Sequence, residues 1–375
     1  MSELDDDLMD KALALGRLGE PSPNPHVGCI IADGAEVIGE GYHESVGMDH
    51  AEVVALKQAG ERARGKTLYV TLEPCNHEGR TPPCVNAIIA AGLKRVVVGC
   101  RDPNPGVQGG GSERLRAAGI EVVLGVREAK ARELIRAWEK YITEQKTYLT
   151  LKLALSLDGR TATRTGDSQW ITSEASLKRV HVLRSEHDAV MVGINTVLSD
   201  DPLLTVRHVR GSSPARVVID SSLRLPINSR LVVTAHDVPT CVITTARGSR
   251  AVAQTLEEKG ISVIQVPQTA QGRCDMNVAL RELAAREVVS VLCEGGAELA
   301  GSLLASRLAD ELHAFIAPMV LGPRGRPAAA DWAGPEKLSD APHIGVPQWE
   351  LCGSDAHVWG QLIYPERKLP SSDVS

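Results

Sequence analysis

The sequence predicts a two-domain α/β protein. Its length of 375 residues suggests more than one domain. Strand-like and helical segments alternate between residues 27 and 126, the pattern of a layered α/β unit. The alternation restarts at residue 147, after a polar helical stretch, which places a boundary near residue 146. Hydrophobic residues make up 43% of the chain and aromatics 3%, with a single Phe. More than one core can be filled, and Leu, Val, Ile and Ala must fill it.

Leu8, Ala12, Leu15 and Leu18 recur at helical spacing and predict a first helix over 8–18. The run "VGCIIADGAEVIGEGYH" reads as two strands around Asp33-Gly34. "HAEVVALKQAGERARG" predicts a helix ending at Gly65. Strand 66–73, helix 84–91, strand 94–100, helix 112–118 and strand 121–126 follow, then the stretch 127–145, which reads as a helical connector. The second half opens with a strand-like run over 147–162, helix 173–187 and strand 188–193. Strands near 203–207, 215–220 and 239–245, helix 249–259, strand 261–266 and helix 277–287 come next. Strand 289–293, a helical run 297–310, a strand-like run 311–322 and late strands 348–352 and 357–364 complete it. There is no internal repeat, so the halves are expected to do different work. The domains are expected at 1–146 and 147–366, with 367–375 a disordered tail.

Net charge is −6, which argues against nucleic-acid binding through a broad basic surface. The acidic, amphipathic N-terminus lacks the basic and apolar regions of a signal peptide. No run of 18 apolar residues marks a membrane span. A cytoplasmic protein is expected, and in that compartment disulfides are rare. Eight cysteines in 375 residues then point to metal binding or catalysis where they sit at strand-to-helix junctions.

One stretch fits that description. "TLEPCNHEGRTPPC" sets Cys75 and Cys84 around a polar loop, and "MDHAEVVAL" upstream supplies His50 and Glu52. One imidazole and two thiolates make three ligands for zinc, leaving a fourth position for water. Zinc lowers the pKa of such a water toward about 7. Glu52, near a helix start, is placed to move a proton from water to a leaving amine. The pattern of His-x-Glu followed by Pro-Cys and Cys is that of zinc base deaminases, with eight residues between the cysteines in place of the commoner two. A structural zinc would need a fourth protein ligand, and His77, two residues from Cys75, would distort the loop to reach it.

At this point "SPNPHVGC", "GEGYHE", "HAEVVAL", "VTLEPCNHEGRTPPC" and "RDPNPGVQGGG" resemble the deaminase half of the bifunctional riboflavin-biosynthesis pyrimidine deaminase/reductases. "LKLALSLDGRTA", "TGDSQWITS", "NTVLSDDPLLTVR" and "CEGGAELAGSLL" are similar to their reductase half. The likeness implies a cytidine-deaminase-like three-layer α/β/α domain followed by a dihydrofolate-reductase-like domain. It implies zinc on His50, Cys75 and Cys84, with Glu52 as proton shuttle. Asn24, His43, His77 and Arg80 would contact the pyrimidine or its ribose phosphate. Lys152, Asp200 and Glu294 would line the reductase centre, Glu294 also touching substrate. Ser168, Arg184, Leu204 and Arg207 would hold the substrate and its phosphate. NADPH would meet Ala154, Trp170, Thr196, Asp200 and the segment Gly296, Ala297, Glu298, Leu299, Ala300, Gly301 and Ser302. A phosphorylated pyrimidine substrate and a homodimer or homotetramer are also implied.

Without the likeness, several of these residues read otherwise. Asn24 suits a turn, Trp170 a core, and Asp200-Asp201-Pro202 a turn. Lys152 in an apolar strand needs a partner such as Asp200 or Glu294. The second half has no GxGxxG after a strand, so its glycine feature is Gly295-Gly296 at a strand-to-helix junction, suited to a pyrophosphate. A competing reading is a nucleoside or nucleic-acid deaminase with an unrelated second domain. Another is a binding protein with a structural zinc, for which Glu52 has no use.

Overall fold

The computed structural model describes residues 2–78, 82–106 and 110–365. Arg80 and the expected tail lie outside the described residues. The chain divides into two compact units, Met1–Lys146 and Thr147–Ser375.

The first unit begins with α1 (Glu3–Gly16), followed by β1 (Gly28–Asp33), β2 (Glu36–Tyr42), α2 (Ala51–Ala59), β3 (Thr67–Leu72) and α3 (Cys84–Ala90). β4 (Arg95–Cys100), α4 (Gly111–Ala117), β5 (Glu121–Leu124) and α5 (Glu128–Glu144) complete it. The sheet order is β2-β1-β3-β4-β5. β1 runs antiparallel to β2 and β3, whereas β3, β4 and β5 are parallel. Ser2 starts α1 through a capping box with Asp5. The helix buries Leu8, Met9, Ala12, Leu13 and Gly16. Leu18 lies beyond its end and is exposed, so the inward stripe differs from the one expected. Close approach of helix to sheet decides where α2 sits. A Cβ on Gly41 would fall 2.2 Å from the Ala51 carbonyl oxygen, so only glycine in β2 lets α2 lie this near. The expected connector is instead part of this unit: α5 buries Ala131, Ile135 and Trp138 and packs on β4.

In the second unit the elements are β6 (Tyr148–Ser156), β7 (Arg160–Ala162), α6 (Glu174–Ser185), β8 (Ala189–Gly193), α7 (Ile194–Asp200) and β9 (Ala215–Ile219). Next come α8 (Arg230–Val233), β10 (Thr240–Thr244), α9 (Arg250–Glu258), β11 (Ile261–Gln265), α10 (Met276–Ala284), β12 (Ser290–Cys293) and α11 (Ala297–Ala305). β13 (Glu311–Ala317), β14 (Arg326–Pro327), β15 (His343–Ile344), β16 (Gln348–Cys352) and β17 (Asp355–Ile363) end it. The sheet order is β11-β10-β9-β8-β12-β6-β13-β17-β15, with β16 also on β17. The strands from β11 to β13 are parallel, and β17 joins β13 antiparallel. Apolar clusters lie on both faces, around Leu149, Met191 and Leu280 on one and Val190, Leu231 and Phe315 on the other, as a parallel sheet requires.

One expectation fails here for a local reason, and one helix was not foreseen. Residues 203–207 form no strand, because Asp201 and Leu204 have φ of 37° and 55°, which no extended strand accommodates. The preceding α7 is only 7 residues long, too short to show a helical period in the sequence.

The first unit is tied at its N-terminus by charge. Arg95 Nη1 and Nη2 donate to the Asp5 carboxylate at 2.7 and 3.1 Å, and the Tyr69 hydroxyl donates at 3.0 Å. Arg95, before the other donors, holds the Asp5 carboxyl well below the usual range. A group so depressed stabilises the fold above its unfolded pKa of about 4 and loses that contribution as pH falls. Asp5→Asn should therefore lower stability by about 2 kcal/mol near neutrality. In urea melts, the gap from wild type should close as the pH is taken below about 4.

Candidate active sites

In the first unit, two strand-to-helix junctions converge. His50 caps the start of α2, Cys84 is the first residue of α3, and Cys75 lies in the loop that leaves β3. His50 Nδ1 is 3.1 Å from Cys84 Sγ and 3.6 Å from Cys75 Sγ. The Cys84 backbone N–H donates to Cys75 Sγ at 3.2 Å. The bond between the two thiols pushes Cys75 down and Cys84 up. The three donor atoms lie within 4.8 Å of one another, close enough to hold one cation. The donor set of one imidazole nitrogen and two sulfurs suits zinc. Among the described residues no fourth His, Cys, Asp or Glu joins it, and His77 is exposed on the loop. A closed structural site is thereby disfavoured.

Glu52 stands in the first turn of α2 and is 3% exposed. Burial raises its carboxyl above the ordinary value, and the neighbouring Cys75 charge adds to this. A buried carboxyl beside the three donors is placed to exchange a proton with a reacting water. His43 and Asn24 form a second layer. The Asn24 Nδ2 amide donates to His43 Nε2 at 3.0 Å, and His43 Nδ1 faces the Asp49 carbonyl at 3.2 Å. The two bonds fix one tautomer, with the proton on Nδ1. His43 thus orients Asn24. Burial lowers the His43 pKa and keeps it neutral.

In the second unit a cavity of about 1250 Å³ gathers most of the expected residues. Lys152 and Ala154 of β6, Ser168 and Trp170, and Thr196 and Asp200 of α7 line it. Leu204, Arg207, Arg184, Glu294, Gly296, Ala297, Glu298, Leu299 and Ser302 complete that set. Ala300 and Gly301 do not line it; both are buried, and a Cβ on Gly301 would lie 1.9 Å from the Ala330 carbonyl oxygen. Trp170 is 72% exposed, so it is no core residue.

Arg184 grips Glu294 with two bonds, Nε–Oε1 at 2.6 Å and Nη2–Oε2 at 3.0 Å. Burial would raise the Glu294 carboxyl, but Arg184, helped by Lys152, holds it below the ordinary value. Lys152 makes no ion pair within 4 Å among the described residues. Desolvation lowers its ammonium pKa, partly offset by the nearby Glu294. Neither Asp200, exposed at the end of α7, nor Glu294 closes the direct pair expected for it.

The glycines after β12 do different things. Neither has a positive φ. A Cβ on Gly295 would strike Leu299 at 2.7 Å, whereas one on Gly296 would meet only Thr196 Oγ1, at 3.7 Å. Gly296 thus keeps open space at the start of α11, where unpaired N–H groups favour a phosphate. This cradle and the size of the cavity fit a dinucleotide.

The RibD C-terminal domain family matches residues 147–358, and the cytidine and deoxycytidylate deaminase zinc-binding region matches residues 2–100. The riboflavin biosynthesis protein RibD of Aquifex aeolicus is 47% identical over 323 residues, 85% of this chain and 88% of that protein. The chain belongs to the RibD family. Among solved structures, form 1 of Acinetobacter baumannii RibD is 37% identical, with a TM-score of 0.85 over 97% of this chain and 99% of that one. A Thermotoga maritima diaminohydroxyphosphoribosylaminopyrimidine deaminase/5-amino-6-(5-phosphoribosylamino)uracil reductase is 33% identical, with a TM-score of 0.83 over 96% and 99%. The cytidine-deaminase-like and dihydrofolate-reductase-like folds follow from this membership. So does a bifunctional enzyme of riboflavin biosynthesis, a zinc deaminase joined to an NADPH-dependent reductase.

Some residues at these RibD sites escaped the sequence reading. Glu73, buried just before Pro74, accepts the Asp102 and Ser112 backbone N–H groups at 3.2 and 2.9 Å and braces the loop that carries Cys75. Its signal was a carboxylate ending a buried strand. Ser221, Ser222, Arg224 and Arg247 line the far end of the large cavity; they follow the C-terminal ends of β9 and β10. His181 is fully buried, driven to about 4 by burial and then by Arg184. Its Nδ1 accepts the Arg207 backbone N–H at 3.1 Å.

The Arg184–Glu294 pair has side chains only 10% exposed on each partner. Arg184→Met should strand Glu294 as a buried charge and cost the second unit roughly 3 kcal/mol. Urea unfolding should report that loss while ammonia release is unchanged.

Proposed function

We propose that the first unit deaminates 2,5-diamino-6-ribosylamino-4(3H)-pyrimidinone 5′-phosphate and that the second reduces the product's ribosyl group to ribityl. The product is then 5-amino-6-ribitylaminouracil 5′-phosphate. The observation that carries this is the pairing of a three-donor metal set with the buried Glu52. A binding module or a structural zinc has no use for that carboxyl. The domains are taken as 1–146 and 147–366.

His50, Cys75 and Cys84 would hold zinc, which would supply the Lewis acidity for activating water. Glu52 would take a proton from water and return it to the departing amine, which leaves as ammonia. Asn24, held by His43, reads the pyrimidine edge, and His77 and Arg80 are the residues assigned to binding the ribose phosphate. In the second unit the cavity would hold NADPH, which would supply the hydride for C1′ of the opened sugar, while the sugar oxygen gains a proton. Of the three ionisable groups, Glu294 is held ionised by Arg184 and so stabilises charge. Lys152, with its weakened hold on a proton, is the donor. Asp200 and Ser168 line the same cavity, beside Leu204, which shapes the pyrimidine end. Arg207 takes the substrate phosphate. Ala154, Trp170, Thr196, Ser302 and the run from Gly296 to Leu299 take the cofactor.

Among the described residues no helix is long and apolar enough to cross a membrane, which agrees with work in the cytoplasm. Self-association as a homodimer or homotetramer is supported by an exposed apolar row at the sheet edge. It comprises Val346, Trp349 and Leu351, at 77%, 65% and 80% exposure. A nucleic-acid deaminase would want a basic face, which a net charge of −6 does not favour.

The test is a coupled assay that follows ammonia and NADPH oxidation separately. Glu52→Gln should slow ammonia release by roughly 10²–10⁴-fold and abolish NADPH oxidation from the diamino substrate. Supplying the deaminated intermediate should restore oxidation. A chelator should act like Glu52→Gln, stopping deamination while reduction of the supplied intermediate continues. NADPH consumption from the diamino substrate without ammonia would overturn the order of steps.

A further inference from the structure

β16 and β17 run antiparallel, and Glu350 stands directly opposite His357 in their register. Cys352, two residues along β16, shares the Glu350 face. The three side chains bring a carboxylate oxygen, a sulfur and an imidazole nitrogen within 4.8 Å of one another. His357 Nδ1 lies 2.9 Å from Glu350 Oε1, and Cys352 Sγ lies 3.7 Å from the same oxygen. The deaminase donors are spaced at 3.1 and 3.6 Å. The second set is therefore gathered about as closely as one that suits zinc.

His357 is also fixed from behind. The Tyr148 hydroxyl donates to Glu311 Oε2 at 3.1 Å, and His313 Nε2 lies 3.2 Å from Glu311 Oε1. His313 Nδ1 lies 3.1 Å from His357 Nε2. A carboxylate at Glu311 takes the Nε2–H of His313, so His313 Nδ1 accepts the Nε2–H of His357. The lone pair of His357 Nδ1 then faces the Glu350 carboxylate. Two acceptors at this distance need a cation between them, either a proton or a metal. A histidine whose far nitrogen is anchored by hydrogen bonds leading to a carboxylate is the arrangement that orients metal ligands.

We propose that Glu350, Cys352 and His357 form a second metal site, for a divalent cation of the zinc class, separate from the deaminase site. Mixed oxygen, sulfur and nitrogen donors suit such a borderline-soft ion, with water completing the tetrahedron. Coordination releases the Cys352 thiol proton to solvent and replaces the Glu350–His357 hydrogen bond. The competing cation is Arg179, whose Nε lies 3.4 Å from Glu350 Oε1. Its Nη1 is also 3.6 Å from Glu186 Oε1, so it has another carboxylate to hold once the metal arrives. Trp349 and Leu351 alternate to the opposite face of β16, leaving the exposed apolar row undisturbed. The site would cross-link the last two long strands of the sheet.

The test is metal content of the full-length chain after equilibration with zinc and desalting. Wild type should hold two zinc ions per chain. Glu350→Gln and Cys352→Ser should each hold one, with ammonia release and NADPH oxidation retained. Cys75→Ser should also hold one, but without deaminase activity. Cobalt substitution of Cys75→Ser should still give thiolate-to-metal absorption, and adding Cys352→Ser should remove it. Cys352 is packed in the core, so Glu350→Gln, at an exposed position, decides if the cysteine variant fails to fold. One zinc per chain in wild type would overturn the proposal. So would a second zinc that survives Glu350→Gln.

Discussion

Every parallel strand must release its chain at its C-terminal edge, and both sites of this protein depend on that constraint. β3 hands on to the loop with Cys75, and β4 to the segment with Asp102. In the second unit β8 leads into α7, β9 into Ser221 and Ser222, and β12 into Glu294 and Gly296. Residues far apart in sequence meet because their strands point the same way, and ligands collect in the crevice at that edge. Helix starts arrive at the same places, bringing His50, Cys84 and the open N–H groups of α11 with them.

The two units treat a buried carboxylate in opposite ways. Burial, with the Cys75 charge, raises the Glu52 pKa. Glu294 is clasped by Arg184 and stays ionised. The same side-chain type is pushed up in one unit and held down in the other, where a neighbouring arginine is bonded to it. Lys152 feels the result: the Glu294 charge restrains the loss of its proton that burial promotes.

Much of this was legible in the sequence because it was written in short, local patterns. His50, Cys75 and Cys84 could be proposed from donor chemistry, since zinc tolerates few alternatives, and Glu52 from its place two residues after His50. The strands of the second sheet were visible as apolar runs bounded by turns. What stayed hidden depended on tertiary placement. Nothing local shows that His43 would turn its ring to hold Asn24, or that Arg184 on a helix would spend its donors on Glu294. The apolar look of 203–207 suggested a strand, and the positive φ at Asp201 and Leu204, imposed by the chain's return from α7, removed it. Ala300 and Gly301 share a motif with cavity-lining neighbours, yet helical rotation turns them into the core.

The placement of α5 has a practical consequence for anyone separating the two activities genetically. A charged, seventeen-residue helix between two folded units looks like dispensable linker, and a truncation at its start would seem natural. That cut would uncover β4 and discard Ala131, Ile135 and Trp138 from the first unit. A self-sufficient N-terminal fragment has to keep the helix whole, and the short segment around Lys146 is where the chain can be divided with least damage to either half.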